Sequence, residues 1–248
     1  MSARATTGGW TVRDAMPLFL MLYLGHVLGD FALQPGRLVL AKRNGPGGML
    51  VHTAIVTAAT ALVLAADLST AWPTVLLAGL AHLGVEELTV RARETPRASG
   101  LSVFLLDQGL HAVSLALIAM TASPARAVIG WAPVSIEVLE AVCGLVTVAL
   151  FGSILVFEID RDRAARSGGS PQPILGLDVP RIYGMAERAA ALGGALILPS
   201  PLLGALAFLP RLGLATLGPR DRRASHRTTA LVGLGLCALV WVLITISS

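Results

Sequence analysis

Charge is scarce in this sequence. Only 14% of its 248 residues are Asp, Glu, Lys or Arg, against about 25% in an ordinary soluble domain. With 54% hydrophobic residues and a mean hydropathy of +0.73, the composition belongs in a bilayer. Lysine is scarcer still: Lys42 stands alone beside eighteen arginines. That imbalance reads as codon bias, and no function is taken from it. Aromatics make up 5%, and no basic stripe interleaves with them, so the net charge of +4 does not point to nucleic acid. The two cysteines, Cys143 and Cys237, both fall in apolar segments, which fits neither a disulfide framework nor a zinc–thiolate site. Phosphate-cradling glycine loops, nucleophile elbows and dinucleotide fingerprints are missing as well.

What is present is a series of long apolar runs. A spanning helix needs about 20 mostly apolar residues, and eight candidates stand out: about 16–34, 49–66, 72–91, 101–121, 134–158, 182–198, 202–217 and 228–246. The fold expected is all-α, a polytopic transmembrane bundle of about eight helices. The sixth and seventh are short and joined by Pro199-Ser200-Pro201, so they could form a re-entrant hairpin. The first run lacks a small-residue cleavage site and is read as a retained helix behind a polar tail, residues 1–15. Residues 16–121 form a first four-helix half and 122–248 a second, with a loop at 159–181.

Arginine and lysine alternate along this series. They follow the first (Arg37, Lys42, Arg43), third (Arg91, Arg93, Arg97), fifth (Arg161, Arg163, Arg166) and seventh runs (Arg220, Arg222, Arg223, Arg227), whereas the even-numbered loops hold only Arg126. Cytoplasmic loops carry the excess of Lys and Arg. The expected setting is the bacterial cytoplasmic membrane, with both termini outside.

Polar residues interrupt the apolar runs in a pattern. Three pairs have i,i+4 spacing, His26/Asp30, His82/Glu86 and Asp107/His111, and His52 stands near the start of the second run. Residues four apart share a helix face. At 1.5 Å per residue, all seven fall within roughly 5–15 Å of the same membrane edge. Ionisable residues inside a membrane need a partner or a role, and helix bundles build metal sites from inward His and carboxylate side chains. The expected ligands are His26, Asp30, His52, His82 and His111, with Glu86, Asp107 and Gln108 as catalytic groups. Imidazole with carboxylate and no thiolate suits a divalent ion, zinc first, with iron, manganese or magnesium as alternatives. A metal-free proton relay and purely structural hydrogen bonding remain alternative readings of the same layer. Gln34 is a candidate for substrate binding, as are Glu187 and Arg188 in the sixth run and Arg211 in the seventh; the alternative there is a Glu187–Arg211 salt bridge. Gly25, Gly29, Gly79 and Gly84 would let helices approach closely.

These stretches resemble a bacterial integral membrane family, domain of unknown function 3307. The resemblance rests on Gly25-His26-Val27-Leu28-Gly29-Asp30-Phe31-Ala32-Leu33-Gln34, Leu50-Val51-His52, Ala81-His82 with Glu86, and Phe104-Leu105-Leu106-Asp107-Gln108-Gly109-Leu110-His111, and later on Tyr183-Gly184-Met185-Ala186-Glu187-Arg188. The family usually carries Asp at the Glu86 position and Lys in the stretch occupied here by Leu209-Pro210-Arg211-Leu212. The resemblance implies the fold and the site residues; it implies no reaction. By looser analogy, the pairs look like those of intramembrane metal-dependent hydrolases.

Four functions are compatible with this pattern. The first is a metal-dependent hydrolase acting on a membrane lipid or a membrane-partitioned small molecule. The others are a lipid or isoprenoid diphosphate transferase or cyclase, a proton or divalent-cation transporter, and a non-catalytic scaffold.

Overall fold

The computed structural model describes residues 12–93, 99–122, 128–129, 131–168, 178–220 and 222–247. Most of the expected N-terminal tail, Arg97, Arg126 and the middle of the 159–181 loop lie outside the described residues. Within them the chain is all-α, with nine continuous helices and a single two-residue strand pairing, Val128–Ile129 with Ala132–Pro133.

Helix α1 runs Val12–Val27 and continues through a π-helical turn, Leu28–Ala32. Then come α2 (Gly36–Asn44), α3 (Pro46–Val63), α4 (Ala65–Arg93) and α5 (Gly100–Thr121). Helix α6 (Ile136–Arg166) contains a second π-helical turn, Thr147–Phe151. Helices α7 (Val179–Ile197), α8 (Pro201–Leu217) and α9 (Arg223–Ser247) complete the fold. Six of these, α1, α3, α4, α5, α6 and α9, are long and apolar enough to cross a membrane, as befits a multi-pass membrane protein.

The structure adds one helix that the apolar runs did not announce. The expected loop between the first two runs contains α2, which follows Pro35 in extended backbone (φ −66°, ψ 152°). Gly45, at φ +154°, ends α2 and begins α3 in a conformation that L side chains rarely adopt. The sixth and seventh runs form a hairpin of different character from the six long helices. Helix α7 carries Arg181, Glu187 and Arg188. Helix α8 is assembled from an α-turn, a 3-10 segment (Ala205–Phe208) and a nine-residue helix. Their backbones nearly touch: a Cβ on Gly194 would sit 2.9 Å from the Gly204 Cα.

Helices α1, α3, α4 and α5 pack in a ring, α1 against α3 and α5, and α4 against α3 and α5; α6 closes on α1 and α5. Small residues bring α1 and α3 together. A Cβ added at Gly25 would lie 2.5 Å from the Thr60 Cα, and one at Gly29 would lie 2.6 Å from the Val56 Cα. Without a hydrophobic force between helices in lipid, such close packing is a main source of association. Gly79 packs against the Thr57 side chain, whereas Gly84 faces open space and has no packing role.

The ring has an apolar end and a polar end. Leu18, Met21, Leu22, Leu64, Leu115 and Leu139 fill the first. A separate apolar cluster, Val148, Leu192, Phe208, Ala230 and Cys237, joins α6 to α7, α8 and α9. Exposed side chains along the long helices include Leu62, Leu80, Leu117, Leu231 and Ile246, while His, Asp, Glu and Arg are buried within. Apolar outside and polar inside is the arrangement lipid demands.

Candidate metal centre

All seven residues of the expected layer converge inside the ring, and none is more than 7% exposed. Helix α1 supplies His26 and Asp30, α3 His52, α4 His82 and Glu86, and α5 Asp107 and His111. Their donor atoms fall into three overlapping sets, each with atoms within 4.8 Å of one another: Asp30/His52/His82/Glu86, His26/His82/His111 and Glu86/Asp107/His111.

The first set is centred on His52, which is fully buried. Its Nε2 lies 3.2 Å from Asp30 Oδ1, 3.2 Å from Glu86 Oε1 and 3.0 Å from His82 Nε2. One imidazole nitrogen carries at most one proton and cannot donate to three neighbours at once. Neighbouring ligand atoms in a tetrahedral shell with bonds of ~2.0 Å sit about 3.3 Å apart, so the spacing suits atoms gathered around one ion. The Gln34 side-chain amide lies against the same ring, its Nε2 2.9 Å from His52 Nδ1 and 3.3 Å from Nε2.

The π-helical turn explains why Asp30 belongs to this set. Leu33 N donates to Leu28 O at 2.9 Å, an i→i+5 bond. The widened turn leaves Asp30 Oδ2 4.0 Å from its helical neighbour His26, while Oδ1 meets His52. π-turns occur mostly as single insertions, frequently at functional sites.

The second set is all imidazole. The ring centroids of His82 and His111 are 4.4 Å apart, those of His26 and His111 4.5 Å, and those of His26 and His82 5.3 Å. His26 Nε2, His111 Nε2 and His82 Nδ1 are buried and lack a hydrogen-bond partner among the described residues. An unpaired buried polar atom costs about 1–3 kcal/mol. One nitrogen from each of the three rings lies within 4.8 Å of the others, a donor set that fits a borderline-soft divalent ion.

Asp107 is held by neighbours that leave it facing a cleft. Thr89 Oγ1 donates to its Oδ1 at 2.7 Å, and Gln108 Nε2 donates to its Oδ2 at 2.8 Å and to Asp30 Oδ2 at 3.0 Å. The cleft is 540 Å³, within the usual range for small-molecule sites. Asp30, Glu86 and Asp107 line it, with apolar side chains such as Leu150, Ile154 and Met185.

Two site residues escaped the sequence reading. Lys42 Nζ donates to Glu86 Oε1 at 2.7 Å. The lone lysine, set aside as codon bias, is thus built into the site. Its rarity was the available signal, and the unannounced helix α2 is what delivers it. Thr89 lies three residues after Glu86, on the same helix face, and that spacing could have found it.

Glu187, Arg188 and Arg211 do not line the cleft; they form a separate polar cluster. Glu187 and Arg211 are ion-paired, the alternative weighed above, and the Arg211 guanidinium lies 5.2 Å from the Tyr183 ring centroid. Arg188, 1% exposed, donates from Nε to Val148 O at 2.6 Å and from Nη2 to Ala149 O at 3.2 Å. Those carbonyls belong to the π-turn of α6, where the regular ladder is disturbed, and Arg188 adds side-chain donors to it from α7. From α7 it is Arg181 and Met185 that reach the cleft. The two thiols are structural: Cys143 donates to Leu20 O and Cys237 to Arg188 O.

No curated protein and no solved structure matches the chain. A family model does, over residues 18–136, a stretch that includes every member of the His/carboxylate layer; the Tyr183–Arg188 segment lies beyond it. The family that this model describes is Protein of unknown function (DUF3307), and its likeness to the chain is confined to residues 18–136.

Proposed function

We propose that the chain is an intramembrane metal-dependent hydrolase acting on a lipid or another membrane-partitioned molecule. The observation that carries this reading is the convergence of His52 Nε2, His82 Nε2, Asp30 Oδ1 and Glu86 Oε1 beside a 540 Å³ cleft. Structural hydrogen bonding alone would pair its members; here three buried imidazole nitrogens have no hydrogen-bond partner among the described residues.

Asp30, His52, His82 and Glu86 would hold a divalent ion. His26 and His111 would share His82 to hold a second. When bound, such an ion supplies Lewis acidity, polarising a substrate oxygen and making water acidic enough to react near neutral pH. Asp107 accepts the proton: it lines the cleft, and Thr89 and Gln108 orient its carboxylate. General base catalysis of this kind contributes typically 10²–10⁴-fold. Gln34 holds the His52 ring in place. The alternating arginine loops support a cytoplasmic membrane location, with the site toward the cytoplasm and both termini outside. A hairpin that turns back at α7–α8 preserves that parity as well as two full spans do.

The experiment is a product search. Metal-loaded protein in nanodiscs of total lipid extract is compared by mass spectrometry with chelated protein and with Asp107→Asn. A water-addition product formed only by the metal-loaded wild type is expected. Identical lipid profiles in all three samples would refute the assignment.

A further inference from the structure

The cleft holds three carboxylates and three cations. Asp30, Glu86 and Asp107 line it together with Lys42, Arg93 and Arg181. As it stands the two sets balance, and Lys42 is held by Glu86 at 2.7 Å. A divalent ion ligated by Asp30 and Glu86 changes that balance. Glu86 would then ligate the ion, and the Lys42 ammonium at the same oxygen would be repelled by it. Arg93 makes no ion pair among the described residues, the Nε of Arg181 is 2.7 Å from Ser153 Oγ, and a doubly charged ion would add to a lining whose charges already balance. Loading the metal therefore leaves a cleft with surplus positive charge, and that surplus sits between apolar walls.

From this balance we propose that the cleft takes an amphiphile bearing a phosphate-class anionic head group. Lys42, Arg93 and Arg181 meet the head group, and Leu150, Ile154 and Met185 lie along its apolar portion. The proposal rests on the metal reading above. Arginine suits the head group because its planar fork matches phosphate oxygens two at a time, and lysine acts as a point charge. The three cations come from three elements, α2, α4 and α7, so the head group would also tie the α7–α8 hairpin to the metal-ligating ring. Apolar walls argue for an amphiphile over free phosphate, which has nothing to bury there.

Binding to full-length, zinc-loaded protein in detergent tests this. The probes are dihexanoyl phosphatidic acid, the neutral dihexanoylglycerol and inorganic phosphate, with bound zinc measured on every sample. The anionic amphiphile is expected to bind at least tenfold tighter than either comparator. Arg93→Gln and Arg181→Gln are each expected to weaken it about tenfold with zinc content unchanged. Equal affinity for the neutral analogue, or no effect of either substitution, would overturn the anion site. Equal affinity for inorganic phosphate would overturn the amphiphile. Loss of zinc binding in the wild type is a separate result that refutes the metal reading itself.

Discussion

Lys42 and Glu86 are joined by a 2.7 Å ion pair although 44 residues separate them and they come from different helices. The ammonium occupies the same carboxylate oxygen that lies 3.2 Å from His52 Nε2. On the proposed metal reading, lysine and a divalent ion would therefore compete for Glu86.

Replacing Lys42 should expose that competition. Lys42→Met removes the competing charge, and its zinc affinity is expected to rise by up to about tenfold, roughly 1.4 kcal/mol. Binding of an anionic amphiphile should fall in the same variant. Calorimetric zinc titration checks the first effect; unchanged or weaker zinc binding would show that Lys42 does not compete.

Metal removal should destabilise the bundle. A ligand that binds only the folded state at 100 times its Kd contributes about 2.7 kcal/mol. Chelation is therefore expected to lower the thermal midpoint in detergent by several degrees, and added zinc should restore it. The Glu86→Gln variant, with a ligand missing, should respond much less.

The two imidazole and carboxylate sets should separate by stoichiometry. His26 contributes only to the all-imidazole set. His26→Ala is expected to lose one equivalent of bound metal and keep the ion held by Asp30, His52, His82 and Glu86. Equilibrium dialysis against zinc, followed by elemental analysis, reads this directly.

Helix spacing makes a prediction free of any metal. Gly25→Val places side-chain atoms against the Thr60 backbone and should cost about 1–3 kcal/mol, as overpacking does. Gly84→Ala meets nothing within 4 Å and should be neutral. Comparing their unfolding midpoints tests the close α1–α3 crossing.

Arg188 should behave as a structural residue. Its truncation to alanine strips two charge-assisted bonds from the α6 carbonyls, at about 1.5 kcal/mol or more each. Folded yield and thermal midpoint should drop sharply, while metal per folded chain stays unchanged.

Much of this architecture was legible in the sequence. Six of the eight apolar runs are long apolar helices, because hydropathy reports directly on what faces lipid. The layer from His26 to His111 was legible because i,i+4 spacing fixes a helix face and arginine placement orders the ends of the helices. The π-turns were not legible. Nothing in the local composition of Leu28–Ala32 distinguishes an i→i+5 turn from a regular one, yet that turn aims Asp30 at His52. Helix α2 was hidden for a related reason: it is short and carries Arg37, Lys42 and Arg43, so a hydropathy reading treats it as a loop. The role of Arg188 depended on carbonyls that only the second π-turn disturbs, a long-range match that spacing does not encode.

The most direct test of the metal centre is elemental analysis of purified wild type beside His82→Ala, the residue shared by the sets Asp30/His52/His82/Glu86 and His26/His82/His111, both dialysed against zinc and checked for equal helicity. The wild type should retain at least one equivalent per chain, and the folded variant less than about one-tenth of that, as loss of a ligand implies. A metal-free wild type, or a variant that retains as much metal as the wild type, would contradict the assignment.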